Sequence, residues 1–262
     1  MPSFSAAQLL AITVELALML VLPATIVVLW CRHRIRLTVP VVAAGCYLLS
    51  LVVSTPLVQL LYPRLANNWI VLTALTALTY GVCEESARWL SFRTRALRTH
   101  RDGDGAIAAG LGHGGAEAAC FGLPYLIGTL ALVLAPAAVP EAVRAQTFGA
   151  SPWLFLGTGL DRLPAMACHL VFALLIVLAY QRGRRFLGLA ILAHAALDFT
   201  IFALQHIAPA AVWIPVWAAA GIAAVLTVRR LYRMANRNSG GQQHGKGGGV
   251  GIALGIDTDL VH

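Results

Sequence analysis

Charge is what this chain has least of. Only 11% of its 262 residues are Asp, Glu, Lys or Arg, against 59% apolar, and the mean hydropathy is +0.77. That composition excludes an ordinary soluble domain and leaves room for disorder only in short stretches. Lysine is nearly missing too, since the 19 basic residues are 18 Arg and one Lys. No HExxH occurs, so the familiar zinc-peptidase helix signature is absent. The five cysteines (Cys31, Cys46, Cys83, Cys120 and Cys168) lie in or beside apolar runs without metal-ligand spacing. Neither a disulfide framework nor a zinc finger follows, and they read as small packing residues. No internal repeat and no soluble domain can be discerned.

What is present is a succession of long apolar runs. A hydrocarbon core of roughly 30 Å takes about 20 helical residues, and seven runs meet that length, near 7–31, 37–62, 68–92, 105–136, 157–180, 186–207 and 209–230. The expected fold is all-α: a polytopic membrane bundle of about seven transmembrane helices. The first run has no basic flank or small-residue cleavage pattern and is too long for a signal-peptide core, so it reads as the first span. Sixteen basic residues fall on one set of connections and three (Arg64, Arg144 and Arg162) on the other. That asymmetry predicts an outside N-terminus and a cytoplasmic C-terminus. Basic loops beside an anionic leaflet account for a pI near 9.8 without a nucleic-acid partner. A membrane domain over 1–235 and a Gly-rich, disordered cytoplasmic tail over 236–262 are expected. The external loop 137–153 is expected to hold a short interfacial helix ending near Trp153.

The few ionisable residues inside these runs are the informative ones, because each costs about 2.5–3.5 kcal/mol at the bilayer centre and marks a functional candidate. Counted from the basic ends of their spans, Glu84, Glu85, His113, Glu117, His169, His194 and Asp198 fall at one depth. At about 1.5 Å per residue, that layer lies roughly 12–20 Å above the cytoplasmic boundary. His113 with Glu117, His194 with Asp198, and Glu84 with Arg88 are each four apart, so each pair shares a helix face. Glu84 and Glu85 are about 100° apart on a helix. One of them can face the centre while the other pairs with Arg88 or a neighbour, and spacing does not say which. The small-residue run "GAIAAGLGHGGAEAA" lets a neighbouring backbone come close to His113. Glu15, and Asp161 with Arg162, read as packing or interface contacts.

"EESAR" on the third span, "GLGHGGAEA" on the fourth, "DRLPAMACH" on the fifth and "LAHAALD" on the sixth resemble the YhfC family of intramembrane peptidases. That family is in turn similar to the CAAX-protease and bacteriocin-processing group and to PrsW-type proteases. The resemblance covers roughly residues 80–200. It implies a helical membrane bundle that cleaves peptide bonds within or beside the bilayer by a glutamate-dependent mechanism, with no cofactor and no required metal. Glu84 matches the water-activating glutamate, Glu85 its supporting neighbour, and His113 the histidine that helps hold the water. His194 and Asp198 match a final motif that in the CAAX-protease group usually reads HxxxN and is expected there to hold the oxyanion. Asp198 stands where Asn is usual and Asp161 where Glu is expected before the arginine. Arg88, Glu117 and His169 are supporting residues.

The expected function is therefore an intramembrane peptidase of a bacterial plasma membrane, acting on a membrane-embedded protein or peptide in the lipid bilayer. Two alternatives keep the same cluster. In one, His113, Glu117, His169, His194 and Asp198 ligate zinc with Glu84 as base. In the other, the buried acids and imidazoles form the relay of a proton-coupled transporter, although no inverted repeat supports it.

Overall fold

A computed structural model describes residues 3–244. The long apolar runs become helices, since backbone polar groups in hydrocarbon must find partners inside their own segment. These are α1 (Ala6–Arg34), α2 (Thr38–Leu65), α3 (Trp69–Ser91), α4 (Gly103–Leu134), the short α5 (Glu141–Phe148), α6 (Pro152–Arg182), α7 (Arg185–Ile207) and α8 (Ala210–His244). Six of them are long and apolar enough to cross a membrane. The other long helix is α3, whose 23 residues carry Glu84, Glu85 and Arg88. The chain is thus a multi-pass helical membrane bundle.

Local chemistry fixes the helix starts. Ser5 and Gln8 form a capping box at α1, the Asn68 side chain accepts from the Ile70 N–H at α3, and Asp102 accepts from the Gly105 N–H at α4. At the other end of α6, Gly183 takes φ 114°, a conformation that favours glycine, and the chain turns directly into α7. The short helix in the 137–153 connection ends at Phe148, short of the expected Trp153, because Gly149 closes it and Ser151 caps α6. At the other terminus α8 continues past residue 236, where the tail was expected to begin. Ala235 is buried, and the Asn236 side chain accepts from the Gly103 N–H, which ties that stretch to the start of α4. The rest of the expected tail, 245–262, lies outside the described residues.

The centre of the bundle is α6, buried almost continuously from Ala167 to Ala179. It packs against α4, α8 and α1, while α3 pairs with α7 and α2. Two close approaches set the depth at which helices meet. A Cβ on Gly112 of α4 would sit 2.1 Å from the Pro40 carbonyl oxygen of α2, and one on Gly81 of α3 would sit 2.9 Å from the Ile191 carbonyl oxygen of α7. Only a missing side chain permits either contact. Large apolar side chains such as Leu49, Val52, Leu192 and Ile222 point outward, as they do where lipid is the solvent.

Candidate active site

The crossing at Gly81 brings the next turn of α3 against His194 of α7, so the two adjacent glutamates meet different surroundings. Glu85 turns inward and is fully buried, as is Arg88. Arg88 Nη1 donates to Glu85 Oε1, and His194 Nδ1 donates to the same oxygen at 2.8 Å. The partner of Arg88 is therefore Glu85 at i,i+3, which settles the choice that the spacing left open between Glu85 and Glu84. A buried guanidinium needs such an acid, because an unpaired charge in this setting costs several kcal/mol.

Glu84 points the other way. Its Oε2 accepts from His113 Nε2 at 3.1 Å and lies 3.9 Å from His194 Nε2. Asp198 Oδ2 lies 3.6 Å from that same His194 nitrogen. Two aromatic rings hold the imidazoles: Tyr47 packs edge-on to His113 at 4.7 Å between centroids, and Phe172 stacks on His194 at 4.6 Å and 9°.

The third histidine has a defined tautomer. Arg88 Nη2 lies 2.9 Å from His169 Nδ1, and arginine can only donate, so Nδ1 is the acceptor and Nε2 carries the proton. Nε2 donates to Glu117 Oε2, and the other Glu117 oxygen accepts from Arg162 at 3.0 Å. Arg162 also donates to Asp161. A continuous chain of acids and bases thus runs from Asp161 through Arg162, Glu117, His169, Arg88 and Glu85 to His194.

A cavity of about 500 Å³ lies over this chain, with Glu84, Glu117, His169, His194 and Asp198 in its wall. Gln59, Thr158 and Gln205, near the arginine-poor ends of α2, α6 and α7, line it as well. The cavity therefore extends from the layer of ionisable residues toward that end of the bundle.

The sequence model of the YhfC intramembrane metalloprotease family matches residues 18–217. The chain belongs to the YhfC intramembrane metalloprotease family. No curated protein and no solved structure was found to match the chain.

The YhfC match reaches well beyond 80–200 and takes in α2 and most of α1, in which the motifs quoted above have no counterpart. It makes the chain an intramembrane peptidase. The layer of ionisable residues anticipated in this YhfC chain converges spatially, with qualifications in detail. His113 and Glu117 share a face of α4 yet have different partners, Glu84 for one and His169 with Arg162 for the other. Three contributors had little or no signal. Arg162 was read as an interface contact, but it sits seven residues before His169, two turns along one face, and grips the same Glu117. Phe172 and Tyr47 look like ordinary apolar-span residues until their ring neighbours are known.

The metal that the family description implies finds suitable donors here. Glu84, His113 and His169 offer ligand atoms within 4.8 Å of one another. Two imidazoles and a carboxylate make a donor set typical of catalytic zinc. Both nitrogens of His169 are already engaged, so ligation by this ring would exchange either its Glu117 or its Arg88 contact for the ion.

Proposed function

We propose that this YhfC-family protein cleaves a membrane-embedded peptide with Glu84 as the general base, in the plasma membrane of a bacterium and with its N-terminus outside. The observation that carries the reading is the division of labour between neighbours. Glu85 is committed to Arg88 and His194, while Glu84 lines the cavity with one hydrogen bond, from His113. A base must be able to reach a water and the substrate, and only Glu84 of the two can.

In this mechanism Glu84 takes a proton from a water oriented with His113, and the water oxygen adds to the scissile carbonyl carbon. In the protonated His194 ring, Nδ1–H is held by Glu85 and Nε2–H is free to donate to the developing oxyanion. Glu84 then returns the proton to the leaving amine as the C–N bond breaks. Glu85, Arg88, His169 and Glu117 position these groups, and Asp198 keeps His194 oriented and charged.

A second reading is favoured by the convergence of Glu84, His113 and His169 on one point. Those three residues would hold a zinc ion, and a bound zinc would supply Lewis-acid polarisation and a more acidic water. In that case His169 would give up either its Glu117 or its Arg88 contact to the ion.

The test is Glu84→Gln. Comparative proteomics of membranes from cells carrying wild-type or Glu84→Gln protein should show intact substrates accumulating in the mutant, while the mutant itself purifies folded in detergent. A fully active Glu84→Gln protein would end this mechanism. Activity that disappears on chelation and returns with zinc decides for the second reading over the first.

A further inference from the structure

We propose that the apolar groove between α6 and α8 is the docking slot for the substrate's own transmembrane helix, and that the scissile segment enters the catalytic cavity from it past Trp217. The inference rests on the peptidase reading and names how its substrate arrives. The groove, of about 700 Å³, is lined almost entirely by apolar side chains and opens on the outside of the bundle. Within it α6 and α8 approach closely where Gly221 faces Pro164, since a Cβ on Gly221 would sit 2.9 Å from Pro164 Cβ. Nearer the arginine-poor end, nothing lies within 4 Å of the Cβ that Gly157 lacks.

What selects a peptide as occupant is the wall the groove shares with the catalytic cavity. Asp161 and Trp217 line both spaces. Trp217, held by a hydrogen bond from its indole N–H to the Asp161 carbonyl at 3.2 Å, stands between them. An acyl chain has no bond on which the Glu84 site could act, whereas an apolar helix does. The groove runs along α6 from Trp153 to Ala167, which at about 1.5 Å per residue is about 20 Å. That is about two thirds of a hydrocarbon core of roughly 30 Å and matches a helical segment reaching from one membrane surface to just past the midplane. Both bordering helices also carry an internal proline, Pro164 and Pro215, and a proline frees a carbonyl of the preceding turn and allows a helix to bend there. The wall can therefore move without either helix being lost. The substrate class is a single membrane-spanning helix, cut near the middle of the bilayer, at the depth of Glu84, after local unwinding.

The test reads binding apart from chemistry. Full-length Glu84→Gln protein in phosphatidylcholine vesicles is photolysed with a Lys-flanked Leu/Ala helix of about 20 residues bearing one benzophenone in its outer third, and the adducts are mapped by mass spectrometry. Cross-links should concentrate on 153–164 and 213–226, about ten-fold above the lipid-facing positions Leu49 and Leu192. They should fall about ten-fold in Gly157→Trp, which fills the open space, and in Val225→Trp on the opposite wall. Cross-links spread evenly over lipid-facing positions, or unmoved by both tryptophans, would overturn the proposal. So would a diazirine-labelled lipid that occupies the groove and is not displaced by the peptide. Failure here leaves Glu84 chemistry standing, while a helix that docks in the groove but is never cut by wild-type protein counts against the peptidase reading instead.

Discussion

The polar interior of this bundle divides into two regions built on adjacent residues of one helix turn, one enclosed around Arg88 and one open to the cavity. On one side, Arg88 is enclosed by Glu85, His169 and, through them, His194 and Glu117, with Arg88 and Glu85 both fully buried. On the other, Glu84 has one hydrogen bond and a face on the cavity. The contrast teaches that the same residue type, one position along, is committed to a buried ion pair in one case and left open to the cavity in the other. A buried ion pair is a poor source of net stability but a strong constraint on geometry, and here its geometry orients the imidazole beside Glu84.

The largest effect should separate the two regions outright. Glu84→Gln preserves shape and removes the proposed base, so cleavage should fall about 10²- to 10⁴-fold, with detergent unfolding changed by under about 1 kcal/mol because Gln keeps an acceptor for His113 Nε2. If unfolding and activity fell together, Glu84 would belong to the rigid region and the contrast would fail. The converse variant is Arg88→Ala. It leaves Glu85 buried without its cation and should destabilise the bundle by about 3–5 kcal/mol, measured by SDS titration or thermal unfolding in detergent. In a double-mutant cycle with Glu85→Ala, a coupling of about 0.5–3 kcal/mol is expected, and a coupling near zero would mean that the ion pair holds nothing.

A smaller effect probes how the two regions communicate. Glu117 contacts Arg162 and His169 and touches Arg88 only through the imidazole. Glu117→Gln keeps an acceptor but loses charge, and residues that orient an active imidazole in this indirect way typically cost about 10- to 100-fold when changed. The loss should appear in kcat with KM little altered if Glu117 acts only through His169 and Arg162. A change confined to KM would move Glu117 from positioning to substrate binding.

How much of this was legible before any coordinates is best judged residue by residue. The spans follow from hydropathy alone, and α3 is recognisable although its charges make it the least membrane-like of the long helices. Counting depth from basic helix ends placed Glu84, His113, His169 and His194 in one layer, since helical rise is fixed and the arginines mark the boundary. The partner of Arg88 was not legible: i,i+3 and i,i+4 acids both lie within its reach, and the choice between Glu85 and Glu84 depends on how α7 packs at Gly81. Tyr47 and Phe172 were invisible for a related reason, because an aromatic in an apolar span carries no sign of the ring it will stack on. Arg162 was half legible, since its seven-residue spacing from His169 was in the sequence but its place near a helix end suggested an interface.

The finest distinction concerns Asp198, where the family resemblance would put asparagine. A carboxylate cannot donate to an oxyanion unless protonated, whereas an amide can, so the two residues cannot do the same work. Asp198 Oδ2 is 3.6 Å from His194 Nε2, beyond hydrogen-bond distance, and its side chain is 21% exposed to the cavity. A partly exposed ion pair of that kind contributes about 1 kcal/mol at most, which corresponds to less than about ten-fold in rate. Asp198→Asn should therefore cost less than about ten-fold, and Asp198→Ala only slightly more, because His194 keeps its Glu85 contact in both. If Asn instead raised activity while Ala abolished it, direct hydrogen bonding to the oxyanion would be the role of this position. His194 would then be the orienting group, and the boundary between the rigid and reactive regions would move by one turn of α7.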